Sequence, residues 1–411
     1  MSSEVDAPAG SGTGDRAELV ASFADALRST VVREHVSLDE AVRMQHRLVE
    51  AAAQVMGSDE VFVEDYGQVR ELATVGFGGG GRPRATARVE EVLARFFEAE
   101  DAVLIHGAGT GSIRAMLNGV VEPGTRILVH DAHPYKTTLP AMRHMGLDVV
   151  YSSFDDRAGL ESALREKRPQ SVYLQHVPQR LGDNHDLGEV ISLVREVCGD
   201  DVRVLVDDNY AVMRSPRIGV QLGADASALS LFKLLSPHPI GAVLADSERV
   251  GQIRRDLSSA GCQIQGPHAM AALRALVFAP VALAVQNQTV LDVAATVNAE
   301  AGSGDYPYLA GAFAAQPGIR CTVLLFDRPV AEEFLRSAWR NGSPSQSVGE
   351  EAQFEFLPLF TYLTSTFLKS SPGLERYAVR VNPMRGGPET VLRVLRDALA
   401  DPEFRAAAAS A

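Results

Sequence analysis

A chain of 411 residues is long enough for two domains and a large buried core. Its 46% hydrophobic and 22% charged residues are ordinary for a water-soluble globular protein, and a formal charge of −13 argues against a nucleic-acid or anionic-membrane surface. Three scattered cysteines, Cys198, Cys262 and Cys321, form no CxxC pair; they suit free thiols in a reducing cytoplasm, not a disulfide framework or a zinc site.

Residues 1–15 (MSSEVDAPAGSGTGD) are acidic and rich in small residues, without the basic start or apolar stretch of a signal peptide, so a disordered tail is expected. A helical arm spans 16–59, with helical spacing over 17–27 and 38–56, the second opened by a capping box of Ser37 and Glu40. The run GFGGGGRPR, residues 76–84, reads as a flexible loop ending in Arg82 and Arg84, and 87–98 returns to a helical period.

A large domain is placed at 60–285. Short apolar runs at 102–106, 126–130, 148–152, 171–175, 202–207, 228–232 and 241–246 alternate with helical stretches at 111–119, 137–145, 157–167 and 186–197. That alternation implies α/β architecture, a three-layer α/β/α sandwich around a mostly parallel sheet. Its strand ends share one rim, where open sheets bind ligands. The apolar run 269–285 is interrupted by Arg274 and Pro280 and is shorter than the roughly 20 residues of a membrane helix, so it reads as a kinked core helix inside a connector at 267–298. Residues 286–411 read as a smaller α+β domain, with strands at 319–325 and 377–382 and helices at 329–339 and 388–400. The polar loop 341–351 is expected to be a mobile lid, and the alanine-rich tail after Phe404 to fray.

Several strand ends carry chemistry. Lys233 follows an apolar run between Phe232 and Leu234, where desolvation makes an amine nucleophilic; the plainer reading is a lysine whose head group snorkels into water. The run VRVLVDDNY ends in Asp207 and Asp208, either a carboxylate beside a ligand cation or a capping aspartate. Gly109, Thr110 and Gly111 stand at a strand-to-helix turn, where backbone N–H groups cradle phosphate. The same glycines nearly fit GxGxxG with Asp131 after the next strand, a Rossmann dehydrogenase reading that leaves Asp207 and Lys233 without roles. At the next rim, His133 or Tyr135 offers a ring for stacking. His130 and His133 make an HxxH pair, but no third ligand is spaced to complete it, and no metal is expected.

In order and spacing these elements, over roughly residues 60–400, resemble the fold-type I enzymes that use pyridoxal 5′-phosphate (PLP), the aspartate aminotransferase superfamily. The resemblance implies that Lys233 holds PLP as a Schiff base, that Asp207 pairs with the pyridine nitrogen, and that Ser230, Gly109, Thr110 and Gly111 bind the phosphate. Tyr210 matches the tyrosine near the phenolic oxygen. Tyr135 resembles the stacking tyrosine of the cystathionine and methionine lyases, with His133 as the cysteine-desulfurase-like alternative. Gln175, His176 or Gln179 would replace the asparagine near the phenolic oxygen, with His176 taken as the cofactor ligand. Arg380 or Arg385 would grip a substrate carboxylate, and Arg82 or Arg84 would reach a neighbouring subunit's phosphate. Two departures mark a divergent branch: Phe232 stands where many lyases have threonine, and Asp207-Asp208-Asn209 replaces a DNT triplet. The implied protein is a homodimer that acts on a small amino-acid substrate through an external aldimine and an α-carbanion. The implied reaction is β/γ-elimination or replacement, with transamination as the alternative.

Overall fold

The computed structural model describes residues 13–29, 35–57, 59, 61, 83–177, 179–301, 304–315, 320–349, 351–363 and 365–411. The first twelve residues of the expected tail, the glycine loop with Arg82, and Glu350 lie outside them. Seven strands build the large sheet: β1 Asp101–His106, β2 Arg126–His130, β3 Asp148–Ser152, β4 Ser171–Gln175, β5 Arg203–Asp207, β6 Ala226–Ser230 and β7 Ile240–Ala245. Their order is β1-β7-β6-β5-β4-β2-β3, and only β7 runs antiparallel to its neighbours.

Both faces of the sheet are covered, so the central strands are near-continuous apolar runs. Side-chain alternation decides which face each residue serves. Ile127, Val129, Tyr173 and Leu205 pack with Ala108–Val120, Thr138–His144 and Ser247–Ser259, whereas Leu128, Val172, Leu174, Val204 and Val206 pack with Arg157–Lys167 and Leu187–Cys198. The capping box of Ser37 and Glu40 is present at the start of Leu38–Val55, which packs with Arg84–Phe96 and Gly266–Glu300 against β1 and β7.

The smaller sheet comprises β8 Leu309–Ala315, β9 Cys321–Phe326, β10 Leu359–Thr361 and β11 Ala378–Asn382, antiparallel in the order β10-β11-β9-β8. Helices Ala331–Arg340, Pro388–Ala400 and Pro402–Ser410 cover one face, and Thr13–Arg28 packs on the other. The helix Gly266–Glu300 contributes to the cores of both domains and passes through Pro280. It is the one described helix long and apolar enough to cross a membrane, and half of its most apolar window is buried inside the protein.

The sequence misplaces three features. β6 begins two residues before the expected run, because ASALS is made of small residues with weak strand preference. The chain end is helical over Pro402–Ser410, since Phe404 and Ala408 are buried and Asp401 caps the helix, so it does not fray. The expected lid is anchored: Glu355, itself buried, accepts hydrogen bonds from Ser347 Oγ at 2.9 Å and from the Val348 and Gly349 N–H groups.

Candidate active site

The ends of β1, β4, β5 and β6 surround a cavity of about 260 Å³ lined by Gly107–Thr110, Tyr135, Gln175, Asp207, Asn209, Tyr210, Ser230 and Lys233. β6 stops at Ser230, and a single 3-10 turn, Leu231–Leu234, lifts Lys233 off the sheet, its N–H donating to Ser230 Oγ at 3.3 Å. Lys233 Nζ donates to the Tyr210 hydroxyl at 2.5 Å. The Arg320 guanidinium, from the residue before β9, stacks 3.8 Å from the centroid of the same tyrosine ring.

Asp207 closes β5 and is enclosed. Its carboxylate accepts from Tyr173 Oη at 3.0 Å and from Asn209 N and Nδ2 at 3.0 and 2.6 Å. These donors are neutral, and burial pushes the acid up to about 6 despite the hydrogen bonds. Asp208 points to the other face, where its Oδ1 lies 2.7 Å from His176 Nδ1 and its carboxylate accepts from the Gly219 N–H. Strand alternation makes the separation: β4 pairs Gln175 with Asp207, so Tyr173, Gln175 and Asp207 share a face and His176 cannot join them.

The helix Ala108–Val120 aims its first turn at the cavity, with Thr110 Oγ1 3.4 Å from Thr137 Oγ1. A Cβ on Gly109 would meet the Asn209 amide at 2.2 Å, and one on Gly111 would meet the His106 carbonyl at 1.9 Å. Glycine is therefore needed at both, at Gly109 for the cavity and at Gly111 for the packing of the turn against β1.

Lys233, Tyr135, Asp207, Gly109, Thr110, Ser230 and Tyr210 thus come together as expected. Gly111 lies behind the lining. His176 faces a different cleft, beside Asp208. His133 packs its ring edge-on to Tyr151 at 4.6 Å and is not in the lining, so of the two stacking candidates Tyr135 is the one at the cavity. Neither Arg380 nor Arg385 lines it. Arg380 is fully buried with Nε on Asn382 Oδ1 at 2.8 Å, and Arg385 lies beside Glu351, with burial lowering its pKa. Arg84 sits in the first turn of Arg84–Phe96.

Asn209, Thr137, Tyr173 and Arg320 were not anticipated. The parity of β4 could have found Tyr173, two residues before Gln175 on the same face. Arg320 carries no local signal, because only the packing of the small domain brings it to Tyr210. Arg214 adds a buried ion pair with Glu351 at 3.0 Å and a bond to Gln286 at 2.8 Å, and burial lowers its pKa to about 10.

The residues fit PLP. A carboxylate raised by burial among neutral donors suits a pyridinium; helix N–H groups with Thr110, Thr137 and Ser230 suit a phosphate; Lys233 supplies the amine.

Comparison with known proteins agrees. Residues 66–268 match the class-V aminotransferase family, and residues 295–395 match the YhfS-like C-terminal domain. The uncharacterized protein YhfS of Escherichia coli (strain K12) is 41% identical over 322 residues, 78% of this chain and 87% of the relative. The crystal structure of the pyridoxal-5′-phosphate-dependent protein YhfS from Escherichia coli superposes with a TM-score of 0.83 at 38% identity, covering 90% of this chain and 99% of that one. A cystathionine gamma synthase from Xanthomonas oryzae pv. oryzae, at 20% identity and a TM-score of 0.60 over 80% of this chain and 87% of its own, shares the fold.

Proposed function

The chain belongs to the YhfS family of fold-type I PLP-dependent proteins, and on that premise we propose that it is an enzyme that eliminates or replaces a β- or γ-substituent of an amino acid. The observation that carries this reading is the Lys233 amine, 2.5 Å from the Tyr210 hydroxyl, in one cavity with Asp207 and the half-exposed Tyr135.

When bound, PLP supplies an electrophilic carbon for amines and a ring that draws electrons from the substrate α-carbon. Asp207 would hold the ring nitrogen in its protonated form, while Tyr173 and Asn209 fix the carboxylate's orientation. Lys233, whose amine would be released as the substrate amine takes its place, would then take the α-proton, with Tyr210 accepting a hydrogen bond from Nζ and so aiming the lone pair. Tyr135, at the cavity mouth, is the hydroxyl for a departing substituent. We assign the substrate carboxylate to Arg320: like Arg380 it is buried and outside the cavity lining, but it alone of the two stacks on the tyrosine that touches Lys233. We also take the active form to be a homodimer, supported by the exposed apolar Phe278 and Val285 on one helix and Leu38, Val42 and Val49 on another.

The test is product analysis with amino acids bearing β- or γ-leaving groups. Equal yields of oxoacid and ammonia support elimination. Oxoacid without ammonia, with turnover only when an oxoacid acceptor is added, would instead make the protein an aminotransferase.

A further inference from the structure

The C-terminal ends of β2 and β3 carry a second cluster that the chemistry above does not use. His130 ends β2 and is 1% exposed, Asp155 follows β3, and His185 is buried before the helix Leu187–Cys198. One nitrogen or oxygen from each lies within 4.8 Å of the other two.

The distances separate a hydrogen-bond network from a ligand set. His185 Nδ1 is 3.2 Å from Asp155 Oδ1, and His130 Nε2 is 3.8 Å from Asp155 Oδ2 and 4.0 Å from Asp183 Oδ1. The last two separations are too long for hydrogen bonds, and the enclosed His130 Nε2 makes none. They match two ligands of one ion, since metal–donor bonds of about 2.0–2.2 Å set neighbouring ligand atoms roughly 3–4 Å apart. Asp131 Oδ1, 3.1 Å from His130 Nδ1, can accept the ring proton that a metal on Nε2 places there, a carboxylate–histidine–metal relay. The bond from the Ala132 N–H to Nδ1, 2.9 Å, belongs to the metal-free tautomer.

Charge points the same way. Arg180 lies on the open side, with Nε 2.8 Å from Asp183 Oδ1, Nη1 3.1 Å from Asp131 and Nη2 3.7 Å from Asp155. Lys369, from the small domain, donates to the Ala132 and His133 carbonyls and feels Asp183. Two monocations thus face three carboxylates among the described residues. Asp155 Oδ1 is fixed in place by the Asn184 and His185 N–H groups, at 2.6 and 2.7 Å, which leaves Oδ2 facing His130. Phe154 meets both imidazoles edge-on, at 5.0 and 5.8 Å, and gives the cluster an apolar wall.

We propose that His130, Asp155 and His185 bind a transition-metal dication of the zinc class, with Asp183 beside it. Two imidazoles with a carboxylate favour such an ion over Ca²⁺ or Mg²⁺, which take oxygen ligands. The ion ties the segments after β3 and β4 to the end of β2, from which the chain runs on to Tyr135. It supports the aromatic wall of the cavity and takes no part in the reaction.

The test uses PLP-loaded protein, dialysed against a chelator and titrated calorimetrically with ZnCl₂, with metal content and melting temperature measured in parallel. One Zn²⁺ per chain is expected, with a rise in melting temperature. Asp155→Asn and His185→Gln should each weaken binding by about tenfold or more. Asp155→Asn keeps an acceptor for the Asn184 and His185 N–H groups, and the cofactor absorbance reports whether each variant is folded. Absence of saturable Zn²⁺ binding by the wild-type chain overturns the proposal, as does equal affinity in both variants. Saturable Mg²⁺ binding in place of Zn²⁺ overturns the zinc class.

Discussion

Asp207 and Asp155 stand at the same edge of the same sheet, at the end of β5 and after β3; burial raises both, yet their partners leave them shifted in opposite directions. Asp207 accepts only from neutral donors, and burial raises it to about 6. Asp155 is also penalised by burial, yet two imidazoles and a backbone N–H hold it below the ordinary range. The difference teaches what each stretch of the edge is built to receive. A raised carboxylate is one for which the protein has supplied no cation, and it gains most when a ligand brings a cation. A lowered carboxylate is already an anion in place, able to serve as a ligand or to hold loops together. On the proposed chemistry the stretch around Asp207 is the reactive part of this edge and the stretch around Asp155 its support.

The largest effect expected from that contrast is at Lys233. Lys233→Ala should lose turnover by about four orders of magnitude, since it removes both the amine that exchanges with substrate and the base. His185→Gln, in the supporting stretch, should keep most of its turnover. Comparable losses in both variants would break the division between the two stretches. Next, Asp207→Ala should cut turnover by roughly 10²–10³ while the cofactor stays bound. Asp208→Ala should lower the melting temperature instead, because it strips the buried His176 of its partner. If Asp208→Ala shows the catalytic loss and Asp207→Ala the thermal one, the roles of the two faces are exchanged.

The legibility of this edge in the sequence was uneven, for physical reasons. Apolar runs in a parallel sheet are set by burial on both faces, so β2, β3 and β4 fall where their composition puts them. Lys233 and Asp207 follow directly from strand ends, whereas Ser230 comes only from the resemblance. β8, LAGAFAA, was missed because alanine and glycine have little strand preference, and it is held by pairing with β9. His176 was misassigned through parity: one position past Gln175 faces the opposite side of the sheet. The HxxH spacing says nothing about Asp155 and His185, the neighbours of His130, which lie on other loops and carry no spacing signal.

A smaller effect separates the candidate substrate arginines. Arg320→Gln should weaken use of a carboxylate substrate by about a hundredfold, the equivalent of two charge-assisted hydrogen bonds of about 1.5 kcal/mol each. Most of the loss should be in kcat/KM, with the cofactor spectrum unchanged. Arg380→Gln should act mainly on stability, because Arg380 is fully buried and its Nε bonds to Asn382. The reverse result in steady-state kinetics and thermal melts would return the carboxylate to Arg380.

The smallest effect is also the one that tests the Asp207 contrast most directly, because it is read without substrate. In the cofactor-free protein Asp207 titrates near 6, against 3.8 as its ordinary value. Below pH 4 the acid is protonated in both the folded and unfolded chains, and its burial carries no charge penalty. Between pH 4 and 6 the unfolded chain releases the proton while the folded chain keeps it, so stability falls as pH rises. Above pH 6 the whole penalty is present, up to about 3 kcal/mol for a rise of about two pKa units. Asp207→Asn removes the charge while keeping an acceptor for Tyr173. The cofactor-free variant should therefore melt above the cofactor-free wild type at pH 7–8, and the gap should close near pH 4. Loading with PLP should shrink the gap at pH 7–8, because the ring cation then offsets the Asp207 charge in the wild type. Equal melting of the two cofactor-free proteins across this range would mean that Asp207 already has its cation within the protein, and the contrast with Asp155 would not hold.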